Sequence, residues 1–281
     1  MHSALLPSGN IITAREYEPE RHGTIIYCMD KSCQVPVIHM SGTLDVAAHF
    51  KSSGRGDSIH KESCGFARKL TFKETVGKVG EYQDTLLDQG VREFVVRLSL
   101  NSIDPDYEAK TIERNTSDKE QKEPEELDSK ALKEKNVTPQ AISSLKSIKK
   151  LFTTVEPDIL ASIIISANGI RIPISQIICH YEMAHNVLWE DKALPVPYFI
   201  HGKVSKVIRR EKVWYINFLS ENAAHFTLVV FDRYFKHFTL KDEDLIGKEI
   251  LAVGTLKKNS FNREKQITEM IIKSNKYIEF L

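Results

Sequence analysis

The chain has 281 residues, with 39 lysines and arginines against 38 aspartates and glutamates. Its length suits two or three domains, and the formal net charge of +1 is silent about partners until the clusters along the chain are located. No stretch approaches about 18 apolar residues, which excludes a membrane-spanning helix, and no glycine-rich phosphate loop occurs, which leaves nucleotide hydrolysis unsupported.

The start, Met1-His2-Ser3-Ala4-Leu5-Leu6-Pro7, lacks a basic flank and an apolar stretch of signal-peptide length. This predicts a reducing, cytoplasmic setting, where clustered cysteines read as metal ligands rather than disulfides. Three of the 4 cysteines follow at once: Cys28 and Cys33, then Cys64, with His49 and His60 between them. A short loop brings two soft thiolates together and a later cluster closes a tetrahedron, the pattern of a structural zinc site. Five residues compete for four places. His60 and Cys64 have helix-compatible spacing, so His60 is the alternative to His49 as the third ligand.

Phe72, Val76, Val79, Tyr82 and Leu86 then recur at three- and four-residue steps, which predicts an amphipathic helix, with Gly90 as its stop. Alternation of Phe94, Val96 and Leu98 predicts a strand within 91–100. These elements define an N-terminal domain over 1–101.

From 102 to 137 the chain is dense in Asp, Glu and Lys and nearly free of large aliphatics. Such a stretch buries too little apolar area to offset chain entropy and predicts a flexible linker. Within it, Pro105-Asp106-Tyr107-Glu108-Ala109-Lys110 imitates a metal-nuclease signature, but its acids lie too close together to sit on separate strands. A helix/hairpin/helix segment is predicted over 138–195. Thr138-Pro139 opens a helix through Phe152, Ile159 to Ser166 is a strand turned by Asn168-Gly169, and Ser175 caps a helix through Trp189. His180 and His185, five apart, do not share a helical face as a zinc pair would.

Over 196–281 five strands are predicted: Phe199 to Ile208, Lys212 to Leu219, Phe226 to Phe231, Lys248 to Leu256 and Ile267 to Ile272. A short connector separates the third and fourth, which is the plan of an OB-fold barrel. Lys203, Lys206, Arg209, Arg210 and Lys212 crowd the first strand and its turn, and Lys257, Lys258 and Arg263 the last loop. In an OB barrel these flank one groove, where cations meet phosphates while Tyr215, Asn217 and Phe231 meet bases. Alternation sends Trp214, Ile216 and Phe218 to the core.

Two resemblances sharpen this reading. Gly202-Lys203-Val204, Trp214-Tyr215-Ile216-Asn217-Phe218, Phe226 to Phe231, Gly247-Lys248 and Val253-Gly254 resemble the nucleic-acid-binding OB domains of bacterial nucleases and, more distantly, of aminoacyl-tRNA synthetases. That resemblance implies a binding face on strands two and three and implies no catalysis. Cys28, Cys33, the apolar Val35-Pro36-Val37-Ile38, His49-Phe50 and Cys64 resemble the zinc finger of the competence CoiA family. It implies the ligand set Cys28, Cys33, His49 and Cys64, which is preferred over the set with His60. The endonuclease-like core of that family has no equivalent here.

The sequence therefore predicts an α+β, multi-domain, cytoplasmic and non-catalytic protein. A structural Zn2+ module and an OB domain would bind nucleic acid, single strands favoured, without contacting a membrane. One rival is a zinc-dependent nucleic-acid hydrolase with Glu62 as general base. The other is an adaptor that binds a protein through the linker or the barrel.

Overall fold

The computed structural model describes residues 1–90, 93–108, 141–220, 224–259 and 265–281. It is a mixed α+β structure. The N-terminal module is built from short pieces. Strands β1 (Ser3–Leu5) and β2 (Ile11–Thr13) are followed by one turn of helix, α1 (Pro19–His22), and by β3 (Tyr27–Cys28), in sheet order β2-β1-β3. A hairpin of β4 (Ile38–Met40) and β5 (His49–Lys51) covers them. Tyr17, Ile26, Val37 and Phe50 form a small core with Cys28, Cys33 and Cys64. Strands of two or three residues bury little apolar area, so this module depends on a cross-link for its stability.

Helix α2 (Phe72–Asp88) follows, opened by a reciprocal cap in which Thr71 Oγ1 accepts from the Glu74 amide and the Glu74 carboxylate accepts from the Thr71 amide. It buries the predicted face through Phe72, Val79, Tyr82 and Leu86, together with Thr75 and Gln83. Beyond it come β6 (Phe94–Leu98), β7 (Ala141–Ile142), α3 (Leu145–Thr154), α4 (Pro157–Ala161), β8 (Ile163–Ala167), β9 (Ile170–Pro173), α5 (Ile174–Ile177), β10 (Ile178–His180) and α6 (Tyr181–Trp189). The sheet order is β7-β6-β8-β9, with β6 parallel to both β7 and β8. Composition divides the chain at 101, whereas hydrogen bonding does not: β6 lies between strands drawn from beyond 140.

Local expectations shift accordingly. Ile142 joins β7 opposite Leu98 instead of opening a helix, because the sheet edge buries it completely; α3 starts at Leu145 with Ser144 as its cap. Pro157 opens a short helix ahead of β8, so the strand begins at Ile163 and not at Ile159. The expected helix from Ser175 is interrupted by β10, which pairs in parallel with the next strand. Asn168 and Gly169 carry φ of 50° and 79° and make the predicted hairpin turn.

The last unit is a strongly curled, half-barrel sheet. It comprises β11 (Tyr198–Arg209), β12 (Val213–Phe218), β13 (His225–Phe231), β14 (Glu249–Gly254), β15 (Leu256–Lys258), β16 (Ile267–Ile271) and β17 (Ile278–Phe280), with a one-turn helix α7 (Asp242–Leu245) before β14. The order is β15-β16-β13-β12-β11-β14-β17, with β10 beside β11. Gly202 has no side chain because a Cβ would lie 2.7 Å from the ring of Tyr181, which stacks on Phe218 at 5.3 Å.

Residues 102–108, the start of the charged stretch, are tied to this sheet. Ile103 is buried, Lys273 pairs with Asp104 at 2.7 Å and with Asp106 at 3.0 Å, and Tyr234 donates to Asp106 at 2.5 Å. The rest of the predicted linker lies in 109–140, outside the described residues.

His201 of β11 marks the junction of the units. It is 2 % exposed, with its ring 5.8 Å from that of Phe72 and 5.2 Å from that of His180. Burial, with His180 and Lys73 nearby, pushes its imidazole down to about 3. An unfolded histidine titrates near about 6.5, so the unfolded chain binds the proton first. The stabilising contribution is complete above that pH and is lost as pH falls toward the folded value. Between pH 7 and 4 the parent should lose on the order of 2–3 kcal/mol more stability than His201→Phe, as read by urea unfolding. Equal losses in both proteins would contradict this placement.

Candidate metal centre and nucleic-acid interface

Cys28 ends β3, Cys33 closes the following turn, and His60 and Cys64 come from the loop before α2. The ligand atoms of these four residues all lie within 4.8 Å of one another. Cys28 Sγ is 3.6 Å from Cys64 Sγ, and His60 Nδ1 is 3.4 Å from Cys33 Sγ and 3.5 Å from Cys64 Sγ. A tetrahedral cation with sulfur at about 2.3 Å and nitrogen at about 2.0 Å requires separations of about 3.8 Å between sulfurs and about 3.5 Å between sulfur and nitrogen. All four cysteines of the chain are free, so no disulfide competes. The donor set fits a single four-coordinate cation, with His60 binding through Nδ1.

His49, the preferred third ligand, is not in the cluster. Its Nδ1 lies 3.0 Å from the Ala47 carbonyl, while the adjoining Phe50 fills the module's core against Tyr17. The dipeptide thus contributes its phenyl ring to packing, and the i, i+4 partner of Cys64 supplies the nitrogen. The fourth cysteine, Cys179, is buried in β10 with its thiol pushed up to about 12 by burial, which makes it inert.

Electrostatics suit a cation. The hydrogen bond from Cys28 holds the Cys64 thiol down, to about 6, while the same bond pushes Cys28 up. The Phe66 amide also donates to Cys64 Sγ at 3.4 Å.

The residue that sequence reasoning missed is Asp30, inside the first loop and 1 % exposed. Its Oδ1 accepts from the Ser32 amide at 2.9 Å and hydroxyl at 2.6 Å. Its Oδ2 accepts from the Gly65 amide at 2.9 Å and the Tyr82 hydroxyl at 2.5 Å, with Lys78 Nζ at 3.1 Å. Burial alone would raise this carboxyl, but the bonds from Ser32, Tyr82 and Gly65 outweigh it and hold the group below the usual carboxylate range. Gly65 must be glycine, since a Cβ there would fall on the Tyr82 hydroxyl. Only an acid between two cysteines signals this in the sequence, and many exposed loops share that signal.

The predicted nucleic-acid residues separate into groups. Register places Lys206, Asn217, Thr227, Glu269 and Lys257 in one row across the curled sheet, with Ile208, Tyr215, Val229 and Ile271 in the next. Arg210 lies 5.8 Å above the Tyr215 ring. Among the described residues Lys203, Lys206, Arg210, Lys212 and Lys257 are exposed and form no ion pair, and Phe231 is 37 % exposed. Lys203 stands apart from the rows, opposite Glu249 in β14.

Arg209 and Lys258 are engaged within the fold. Arg209 bonds Asp242 at 2.6 Å and the Leu240 carbonyl at 2.7 Å and lies 4.1 Å above Trp214, which also stacks on Phe235 at 3.9 Å and meets Phe238 edge-on at 6.2 Å. Trp214 is therefore half-buried, whereas Ile216 and Phe218 are core. Lys258 pairs with Asp191 at 2.6 Å and lies over Trp189. Arg263 lies outside the described residues. Asp106, from the nuclease-like string, is taken up by Tyr234 and Lys273. Among the described residues no helix is long and apolar enough to cross a membrane.

No family model and no curated protein matches the chain, so the resemblance of the cysteine cluster to the CoiA finger rests on its residues alone. Two solved structures are similar over a limited stretch. One is an OBody, AM3L09, bound to hen egg-white lysozyme: 12 % identity over 31 % of this chain and 82 % of that one, TM-score 0.23. The other is the aspartyl-tRNA synthetase of Entamoeba histolytica: 11 % identity over 30 % of this chain, TM-score 0.22. The match spans only 18 % of that synthetase.

Two outcomes follow. His60→Ala should lose the bound metal and His49→Ala should keep it, by elemental analysis of purified protein; the reverse result would restore His49 as ligand. Tyr82→Phe should cost about 1.5–3 kcal/mol of stability, one hydrogen bond to a buried charge, and Asp30→Ala should cost more than about 3 kcal/mol. Denaturant unfolding reads both, and a neutral Asp30→Ala would remove this residue from the account.

Proposed function

We propose that this chain is a non-catalytic, single-strand nucleic-acid-binding protein that carries a structural zinc ion. Three thiolates and one imidazole in a closed set of four favour Zn2+ over harder cations. Four protein ligands complete the tetrahedron, which disfavours the hydrolase reading, because a catalytic zinc needs an open position. Glu62 is exposed beside the cluster and has no such position to serve.

We read residues 198–271 as an OB barrel. The support is connectivity: β11 pairs with β12 and β14, β12 with β13, β13 with β16 in parallel, and β16 with β15. Only Thr255 separates β14 from β15, so one continuous run links the β11 side of the sheet, where β17 adds beyond β14, to its β16 side. OB barrels bind single strands across the face of their second and third strands.

The observation that carries the reading is the outer face of β11 and β12. Lys206 in β11, with Arg210 and Lys212 in the turn that follows it, forms no ion pair among the described residues, and Arg210 lies over the ring of Tyr215, which would stack on a base. Arg209 is left out of the binding set because it closes the end of the sheet.

A single-strand titration of the full chain at several salt concentrations tests this. Each lost phosphate contact should flatten the slope of log affinity against log salt by about 0.7. Replacing Lys206, Arg210 and Lys212 by Ala should therefore flatten it and weaken binding to every sequence. Tyr215→Ala should cost about 1–3 kcal/mol of binding with little change in slope. A folded triple variant that binds like the parent would overturn the assignment and leave the adaptor reading in its place.

A further inference from the structure

A concave feature lies beside the cysteine cluster. A cleft of about 630 Å3 opens between β5, the loop around His60 and the end of α3. Its size falls within the range of small-ligand sites, about 300–1,000 Å3. Phe66, Phe152 and Val155 supply an apolar floor, and Lys51, Arg68 and Lys69 stand around it. The one carboxylate in the lining, Glu156, is occupied by the Met1 amine at 2.8 Å. Arg68 is held by Glu74, whereas Lys51 and Lys69 are exposed and form no ion pair among the described residues.

His60 lines the same cleft. Its Nδ1 faces the sulfurs of Cys33 and Cys64, and a cation held there would leave the proton on Nε2, at the other edge of the ring. A cation on Nδ1 withdraws charge from the ring and makes that N–H a stronger donor. An apolar floor, two uncommitted ammonium groups and one fixed N–H donor match a nucleotide unit: base or sugar on the floor, phosphate at the rim.

We propose that this cleft is a second binding site, which takes one phosphodiester unit of a nucleic-acid strand. Lys51 and Lys69 neutralise the phosphate and the Nε2–H of the metal-bound His60 donates to it. The inference rests on the reading of the chain as a nucleic-acid-binding protein and assigns the metal module a direct part in it. The metal then does two things: it folds the module and it orients a donor.

The test uses the zinc-loaded full chain and a fluorescent single-stranded oligonucleotide over a salt series. The variant Lys51→Ala/Lys69→Ala touches no ion pair and should fold and retain zinc. It should flatten the salt slope by about 0.7, one phosphate contact's worth. The triple variant at Lys206, Arg210 and Lys212 should flatten it separately. If the cleft variant keeps the parent slope while the triple variant loses it, the cleft is overturned and the curled-sheet site stands. If the cleft variant alone loses slope, the cleft stands and the sheet site falls. A parent that binds no oligonucleotide at low salt overturns both.

A local readout separates a strand from a bare anion. In protein labelled with 15N-histidine, the His60 Nε2–H resonance should shift on adding the oligonucleotide, and the cleft variant should abolish that shift. An equal shift from inorganic phosphate at the same phosphate concentration would overturn the assignment to a strand.

Discussion

One buried carboxylate connects the parts of this protein. Asp30 sits between Cys28 and Cys33, yet it accepts bonds from Gly65, next to Cys64, and from Tyr82 on α2. It therefore fixes three things at once: the turn that presents two thiolates, the loop that presents the third, and the helix beneath. A buried charge is costly unless its lone pairs are filled, and here donors from Ser32, Gly65, Tyr82 and Lys78 fill them. Phe66 follows the same seam, stacked on Tyr82 at 5.6 Å and packed against both apolar cores. The N-terminal module is small, but it is anchored to the longest helix among the described residues through polar bonds that no apolar slip could satisfy.

From α2 the constraint passes onward. Gln83 donates to the Ala161 carbonyl and accepts from the Ser175 amide, so one buried amide spans α4 and α5. Phe72 meets Phe152 and His201, which carries the same core into β11. Asp104 and Asp106 tie the end of the β6 segment to Lys273 and Tyr234. The cysteine cluster and the curled sheet are thus joined through packed elements.

Much of this was legible in the residues. The cysteine trio, the face of α2, the Asn168-Gly169 turn and strands β11 to β14 and β16 all follow local periodicity or local turn chemistry, which a sequence displays directly, whereas β15 and β17 were not foreseen. What stayed hidden depends on partners distant in the chain. His60 rather than His49 faces the sulfurs because the β4–β5 hairpin turns Phe50 inward, and register of that kind is a tertiary outcome. The division of the chain at 101 failed to foresee that Val96 would pair with Ile165. Arg209 looked like a phosphate ligand, but its partner Asp242 lies 33 residues away. Asp30 was invisible for the same reason: its meaning comes from Tyr82, 52 positions on.

The central claim is a closed centre of three sulfurs and one imidazole nitrogen, held by Asp30 against α2. X-ray absorption at the zinc edge of the purified protein tests it most directly. The account predicts three sulfur neighbours at about 2.3 Å and one nitrogen at about 2.0 Å, with no further oxygen. Two sulfurs, or a water oxygen in the first coordination sphere, would contradict it.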